Sequence, residues 1–255
     1  MRVTVLGKSP AWQDAGGACT GYLVEHGDAT LLLDCGSGVF AKLRAIRDHH
    51  AVEAIVLTHL HADHLLDLVP FAYALTYGPR RPAPRPVLHV PPGGDAMLHA
   101  LPATWGAPDL IADAFAIVEY DPAQPIAVGQ LSVDFREVDH YVTAHAVAIS
   151  APGSGRFVFS ADTGPSDALV DFAAGADLLL IEASIPDAAA DDPDDRGHLS
   201  PAEAGAHAAR AHVARLVLTH ISDELDLDAA LAAARAAFTP GAPVEIAAEG
   251  ATYEL

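Results

Sequence analysis

The 255 residues, of which 51% are hydrophobic, are enough to bury one large core, and we predict a single domain spanning residues 1–255. The 34 acidic and 14 basic residues give a formal charge of −20, which repels phosphate backbones and argues against long nucleic acid as a partner. Two cysteines imply no disulfide framework, and the N-terminus lacks the apolar segment of a signal peptide or membrane span, so we expect a cytoplasmic protein that does not bind membranes.

Short strands and glycine-rich turns alternate at the start of the chain. Strands are predicted at residues 3–6, 22–24 and 30–33, with a hairpin turn at 26–28. The segment Asp34-Cys35-Gly36-Ser37-Gly38 closes the third strand and opens a helix over residues 41–46. Asp34 thus lies at a strand end, where we interpret it as a carboxylate that caps a turn or orients a neighbouring group.

A dense cluster of metal-binding residue types follows the apolar strand predicted at residues 54–57. It contains His59, His61, Asp63 and His64. Because side chains alternate in an extended segment, His59 and His61 point to one side, whereas a helix beginning near Asp63 turns Asp63 and His64 to another. Imidazole and carboxylate ligands suit Zn²⁺, and a site with an open position can acidify water. We predict two adjacent metal sites; a surface histidine cluster or a closed structural site is the alternative.

The segment after this cluster is predicted to be a helix over residues 65–77, interrupted at Pro70, and then an irregular proline-rich crossing. The crossing contains Arg80, Arg81 and Arg85. These arginines either face an anionic substrate or solvate the loop, and we favour the second interpretation.

The rest of the chain continues to mix strands with helices. Strands are predicted at residues 87–90, 131–138, 147–150, 157–160, 178–181 and 244–247; helices at 95–101, 200–215 and 228–238; a helix passing into a strand at 110–120; and an acidic loop at 187–196. The tetrapeptide Val-Leu-Thr-His occurs at residues 56–59 and again at 217–220, which suggests two related halves. We therefore predict an α/β protein with a four-layer αββα sandwich.

The motif His59-x-His61-x-Asp63-His64 resembles the metal-binding signature of the metallo-β-lactamase superfamily, a group of mostly dinuclear metal hydrolases. The resemblance extends over nearly the whole chain and is greatest to the branch that contains ribonuclease Z and its phosphodiesterase-like relatives. It implies the αββα fold, and it implies that Asp34 supports the site from outside the ligand set. Homodimers are common among such relatives, so a homodimer is expected.

The resemblance also implies the ligand sets of the two metals. One metal is assigned to His59, His61 and His140, and the second to Asp63, His64 and His220, with Asp162 bridging both. His145 is the competitor of His140. We prefer His140, because it follows the strand at 131–138 and begins the family's H-x-V pattern, whereas His145 leads into the next strand.

Two further residues match motifs of the ribonuclease Z and phosphodiesterase branch. His198, in Gly197-His198-Leu199-Ser200, matches a histidine that helps to stabilise or protonate the leaving group. Glu182 matches the family's His-Glu-Ala-Thr motif, from which this chain departs by having Ile181 and Ser184. The alternatives are a loop histidine and a buried carboxylate without a chemical role.

These assignments predict a dinuclear metal-dependent hydrolase. Two divalent ions, with zinc preferred and manganese or iron as alternatives, lower the pKa of a bridging water toward about 7. Asp63 orients or deprotonates this water, and His198, paired with Glu182, assists departure of an alkoxide.

A small phosphodiester such as cyclic AMP is the first substrate hypothesis, so a small molecule is the expected partner. A lactonase or another carbonyl-ester hydrolase is the alternative. Transfer-RNA 3′ processing is disfavoured by the charge of −20 and by the lack of a long basic arm. A metal-dependent binding module without turnover is the least favoured hypothesis.

Overall fold

The architecture is given by a computed structural model that describes residues 1–186, 196–239 and 241–255. Two sheets of seven strands each lie face to face. The first has the order β14-β1-β2-β3-β4-β5-β6, made of Arg2–Gly7 (β1), Gly21–His26 (β2), Ala29–Leu33 (β3), Ala54–Val56 (β4), Val87–Val90 (β5), Ala116–Glu119 (β6) and Thr252–Glu254 (β14).

The second sheet is the counterpart of the first and has the order β13-β12-β11-β10-β9-β8-β7. Its strands are Ile126–Val128 (β7), Leu131–Val138 (β8), Ala144–Ser150 (β9), Phe157–Phe159 (β10), Leu178–Glu182 (β11), Leu216–Thr219 (β12) and Val244–Ile246 (β13). Strands β3 to β6 pair in parallel, and so do β10 to β13. The carboxyl ends of parallel strands in an open sheet form a common edge, where ligands bind in α/β folds.

Helices cover the outer faces of both sheets. They are Val39–Ile46 (α1), Ala62–Leu65 (α2), Leu68–Tyr77 (α3), Gly94–Ala103 (α4), Leu110–Ala114 (α5), Asp167–Phe172 (α6), Pro201–Arg210 (α7) and Leu227–Ala237 (α8), with a 3-10 turn at His49–Ala51. Side chains of α1, α3, α4 and α5 pack on the first sheet, and those of α6, α7 and α8 pack on the second. The predicted αββα sandwich is therefore confirmed.

Both faces of the central strands are buried, which explains their continuous apolar sequences. In β3, Leu31 and Leu33 enter the core between the sheets, while Leu32 faces the helices on the other side. In β11, Leu178 and Leu180 enter the same central core and Leu179 faces the second helical layer. The alternation of period two thus places one set of side chains between the two sheets and the other set beneath the helices.

The alanine-rich helices pack closely, as their composition indicated. A Cβ atom on Gly205 of α7 would lie 2.4 Å from the carbonyl oxygen of Ala234 in α8, so only glycine fits at this crossing. The capping box predicted at Ser200 and Glu203 is present at the start of α7. The predicted end of that helix at residue 215 is wrong: α7 ends at Arg210, and His212 has a left-handed φ of 53° that stops the helix.

Two short strands, β7 and β14, were not predicted. Each has only three residues and lies at a sheet edge: β14 pairs with β1, which is distant in the chain, and β7 forms a short hairpin with β8. The predicted acidic loop at 187–196 lies outside the described residues except for Arg196. Among the described residues, none of the helices has the length and apolar character needed to cross a bilayer.

Candidate metal centre

Side chains of the metal-binding types converge at one common edge, where strands of both sheets end. His59, His61, Asp63 and His64 follow β4 of the first sheet, whereas His140, Asp162 and His220 follow β8, β10 and β12 of the second. Residues far apart in the chain thus meet because the two sheets place their strand ends side by side. The structure brings together all seven side chains that the sequence analysis selected.

These side chains form two groups that share one carboxylate. Ligand atoms of the first group, which is His59, His61, His140 and Asp162, all lie within 4.8 Å of one another. The same limit holds for the second group, which is Asp63, His64, Asp162 and His220. The grouping matches the one implied by the family resemblance, with Asp162 common to both.

Several buried polar atoms in the two groups have no hydrogen-bond partner among the described residues. They are His59 Nε2, His64 Nε2 and Asp162 Oδ1. An unsatisfied buried polar atom is costly, and three of them aimed at one another indicate a cation that they coordinate. The donor set of imidazoles and carboxylates, together with these free atoms, fits divalent metal ions.

Hydrogen bonds to their other ring nitrogens fix the orientation of three histidines. His64 Nδ1 lies 2.7 Å from Asp34 Oδ2, His220 Nδ1 lies 2.7 Å from Ser184 Oγ, and His140 Nδ1 lies 2.7 Å from the carbonyl oxygen of Gly197. Such partners select the tautomer that presents Nε2 to a metal. The expectation that Asp34 supports the site from outside therefore agrees with its contacts.

Asp34 also holds the loop that precedes the histidines. Its carboxylate accepts hydrogen bonds from the Thr58 backbone amide at 2.8 Å and from Thr58 Oγ1 at 2.9 Å. Next to it, the Cys35 amide donates to the His64 carbonyl at 2.8 Å, and a Cβ atom on Gly36 would lie 1.9 Å from the Asp63 carbonyl oxygen. The Asp34-Cys35-Gly36 turn is thus built against the backbone of the metal loop.

Backbone strain is concentrated at this edge. Four non-glycine residues of the described ranges have positive φ angles, and three of them are Asp34 (59°), Ala161 (54°) and His220 (48°). A left-handed conformation costs such residues about 1–3 kcal/mol, so it persists where the surrounding structure imposes it. The three strained residues are a ligand candidate (His220), the residue before one (Ala161), and the carboxylate that holds His64 (Asp34).

Electrostatics favours neutral imidazoles in the first group and an ionised carboxylate at Asp162, which both groups share. Burial lowers the pKa of His59, His61 and His140, which keeps these imidazoles neutral. Burial acts to raise the pKa of Asp162, but the charges of His220 and His64 outweigh it and hold that pKa well below its usual range. The shared carboxylate is therefore ionised.

Glu182 and His198 form a hydrogen-bonded pair beside the second group. Glu182 Oε1 accepts from His198 Nδ1 at 2.9 Å, and the other oxygen accepts from Ser184 Oγ at 2.7 Å. Burial lowers the pKa of His198, but the hydrogen bond and charge of Glu182 outweigh it, so the net shift is upward. Ser184 links this pair to His220; Ile181 and Ser184 were noted only as departures from a motif, and this bridge was not predicted.

An open cavity of about 480 Å³ gives access to the centre. Its polar residues are His61, Asp63, Asp162, Ser184, His198 and His220, and its other lining residues are Pro10, Ala11, Trp12, Ala62 and Ile185. The volume lies in the range of small-molecule sites. The cavity therefore offers room for a small substrate above both groups and beside His198.

The remaining candidates have structural contacts. His145 lies in β9, buried, with Nδ1 3.1 Å from the Tyr120 hydroxyl, so it packs behind the metal loop. Arg80 forms two hydrogen bonds with Asp48, and Arg85 donates to main-chain oxygens at the end of α5. These two arginines bind their own protein, as the favoured interpretation of the crossing expected.

Replacing Asp34 with asparagine is expected to weaken metal affinity by about 10–100-fold while the fold is kept. The amide has the shape of the carboxylate but lacks the charge that orients His64. Metal titration with a competing chelator, compared with the surface variant Asp95→Asn, measures the effect. Equal affinities of the Asp34 variant and the unmodified protein would contradict a supporting role.

Comparison with known proteins finds relatives that match most of the chain. Residues 29–221 match the family profile described as a beta-lactamase superfamily domain. An uncharacterized protein of Mycobacterium leprae is 34% identical over 257 residues, covering 100% of this chain and 89% of the relative. A ribonuclease Z of Bradyrhizobium diazoefficiens is 29% identical over 290 residues, covering 92% of this chain and 94% of the relative.

A solved structure supports the likeness at the level of the whole chain. The probable metallo-hydrolase YhfI of Bacillus subtilis is 33% identical over 221 residues, covering 87% of each sequence. Its crystal structure, described as a metallo-beta-lactamase fold protein, superimposes with a TM-score of 0.86 and 30% identity over 100% of this chain and 98% of the other.

Proposed function

Because the chain belongs to the metallo-β-lactamase superfamily, we propose that it hydrolyses a small phosphodiester, with cyclic AMP as the leading candidate. The chain is a metal-dependent hydrolase of this fold. The two ligand groups would hold divalent ions, for which zinc suits the donor set and manganese or iron are alternatives. Such ions would supply activation of water and neutralise charge on the phosphoryl oxygens.

The observation that carries the proposal is the Glu182–His198 pair at the side of the cavity. Alkoxides are poor leaving groups, so cleavage of an alkyl phosphodiester benefits from a proton donor placed at the departing oxygen. His198 lines the same cavity as Asp162 and His220, and its raised pKa favours the protonated ring. We assign His198 the role of general acid and Glu182 the role of holding its charge and orientation.

Asp63 is proposed to orient the attacking water. It lines the cavity floor, and its carboxylate lies 3.1 Å from His220 Nε2. Although burial acts to raise it, hydrogen bonds from His220 and His64 hold the pKa of Asp63 below its usual range, so the group accepts hydrogen bonds at neutral pH. A carboxylate that stays ionised can hold a water proton in position.

A small substrate fits the charge of the protein better than a long nucleic acid does. The formal charge of −20 repels a polyphosphate backbone, whereas one phosphoryl group can be held by bound cations, which are the largest charges within their own site. Transfer-RNA processing is therefore the less favoured activity, even though a ribonuclease Z is among the relatives. The homodimer remains a prediction.

The test is a substrate panel on purified protein whose metal content has been measured. We expect turnover of cyclic nucleotides and of bis(4-nitrophenyl) phosphate, with little hydrolysis of lactones or of a precursor transfer RNA. Lactone hydrolysis without phosphodiester turnover would replace the proposal with the carbonyl-ester alternative.

Replacing Glu182 with glutamine is expected to move the alkaline limb of the kcat profile to lower pH. In the unmodified protein Glu182 raises the pKa of His198, so the ring keeps its proton to higher pH. Turnover that requires this proton is lost only as pH rises through the raised pKa. Without the charge of Glu182, the loss begins at lower pH. The profile for cyclic AMP measures this shift, with Glu245→Gln, an exposed glutamate of β13, as the matched control. An unmoved alkaline limb would remove the pair from the mechanism.

A further inference from the structure

One wall of the catalytic cavity has a chemistry that phosphodiester hydrolysis does not explain. The floor is made of imidazoles and carboxylates, but the loop between β1 and β2 contributes Pro10, Ala11 and Trp12, and Ile185 adds a further apolar side chain. Trp12 remains 52% exposed. A large aromatic side chain open to solvent at the mouth of a polar cavity is a candidate contact for a ligand.

The loop that carries Trp12 is held in place at its base. Lys8 Nζ donates to the Ile221 carbonyl oxygen at 2.9 Å and forms an ion pair with Asp14. Asp14 in turn accepts from the Asp223 amide at 3.0 Å, and its own amide donates to Ser9 Oγ at 3.0 Å. Ile221 is the residue after His220. The base of the loop that carries Trp12 is therefore fixed relative to the second ligand group.

The charge of the cavity favours a neutral contact for the part of the substrate that is remote from the phosphoryl group. Asp63 and Asp162 lie on the floor and Glu182 lies behind His198. These carboxylates repel an anionic substrate, so only bound cations, at its phosphoryl end, can attract it. An uncharged ring face adds affinity without electrostatic cost, and base-to-aromatic stacking tolerates every base because each has a π face.

We propose that Trp12 is the platform on which the heteroaromatic base of a nucleotide substrate stacks, while its phosphoryl end lies over the two ligand groups. The proposal rests on the proposed function for the phosphoryl end and deepens it by naming the residue that binds the base. Stacking on an aromatic ring does not distinguish one base from another, so adenine and guanine nucleotides should bind with similar affinity.

Binding to the metal-loaded protein tests this platform directly. The chain has two tryptophans, so Trp105→Phe leaves Trp12 as the only indole. In that background we expect adenosine 5′-monophosphate to quench tryptophan fluorescence and ribose 5-phosphate to leave it unchanged. By calorimetry, Trp12→Leu should bind the nucleotide about 10-fold more weakly, Trp12→Phe should keep most of the affinity, and ribose 5-phosphate should bind all three proteins equally.

The controls separate this proposal from the function on which it rests. Trp105→Leu removes the other exposed indole and should not change nucleotide affinity, and metal content and Tm should match in all variants. Equal nucleotide affinity of Trp12→Leu and the unmodified protein, or no saturable binding of either compound, overturns the platform. Nucleotide binding that depends on Trp12, without turnover of any phosphodiester, refutes the proposed function and leaves the platform intact.

Discussion

Asp162→Asn is expected to lose most of the bound metal and to lower turnover. The loss of turnover should far exceed the ~100-fold that is typical when a residue hydrogen-bonded to a metal ligand is replaced. Asp162 belongs to both ligand groups, with Oδ1 3.3 Å from His64 Nε2 and Oδ2 3.7 Å from His59 Nε2. An amide keeps the shape but lacks the charge that holds two cations close together. A single substitution therefore weakens both sites at once.

Metal analysis after gel filtration, together with turnover of bis(4-nitrophenyl) phosphate, measures this effect. Asp167→Asn is the matched control, because Asp167 is an exposed aspartate that pairs with Arg210 on the surface. We expect the control to retain metal and activity. A variant of Asp162 that keeps two equivalents of metal and normal turnover would show that the two groups do not share this carboxylate.

His198→Ala is expected to lower kcat for cyclic AMP by ~10²–10⁴-fold while metal content is unchanged. His198 shares no hydrogen bond with the first ligand group in the described structure and is bound through Nδ1 to Glu182, so its loss removes a proton donor and leaves the donor atoms of both groups. Because nitrophenolate leaves readily without a proton, the same variant should lose much less activity toward bis(4-nitrophenyl) phosphate.

The difference between the two substrates is the decisive readout for His198. A general disturbance of the site would reduce both activities in parallel, whereas loss of a general acid affects the alkoxide leaving group selectively. His26→Ala, at the last residue of β2, is the matched control for removal of an imidazole. Equal losses with both substrates would assign His198 a structural role.

Much of the candidate centre could be predicted from local patterns. Four metal-binding side chains within six consecutive positions are typical of a metal site. The choice of His140 over His145 agrees with their positions, because His140 lies in the first group, whereas His145 is bonded to Tyr120 behind it. That the seven side chains act as metal ligands stays a prediction, since their convergence is geometric. The fold followed from buried strands that alternate with helices.

Other features depend on contacts that no local pattern reports. The bridge from Ser184 to His220 arises because β11 and β12 pair in parallel, and the loop that carries Trp12 lies beside the cavity with its Lys8 bonded to Ile221, 213 residues away in the chain. The edge strand β14 forms because it pairs with β1, which begins the chain. In each case the signal is a partner more than thirty residues away, beyond the range of periodicity and turn chemistry.

The division of the donors between the sheets bears on biosynthesis. The first sheet supplies two donors to each group, and the second sheet supplies the rest, of which His220 comes last. A nascent chain that has emerged only to the end of β6 offers no complete set of donors. The first group is complete only after Asp162 has been synthesised and the second only after His220, so the full centre is acquired by a polypeptide that is nearly finished.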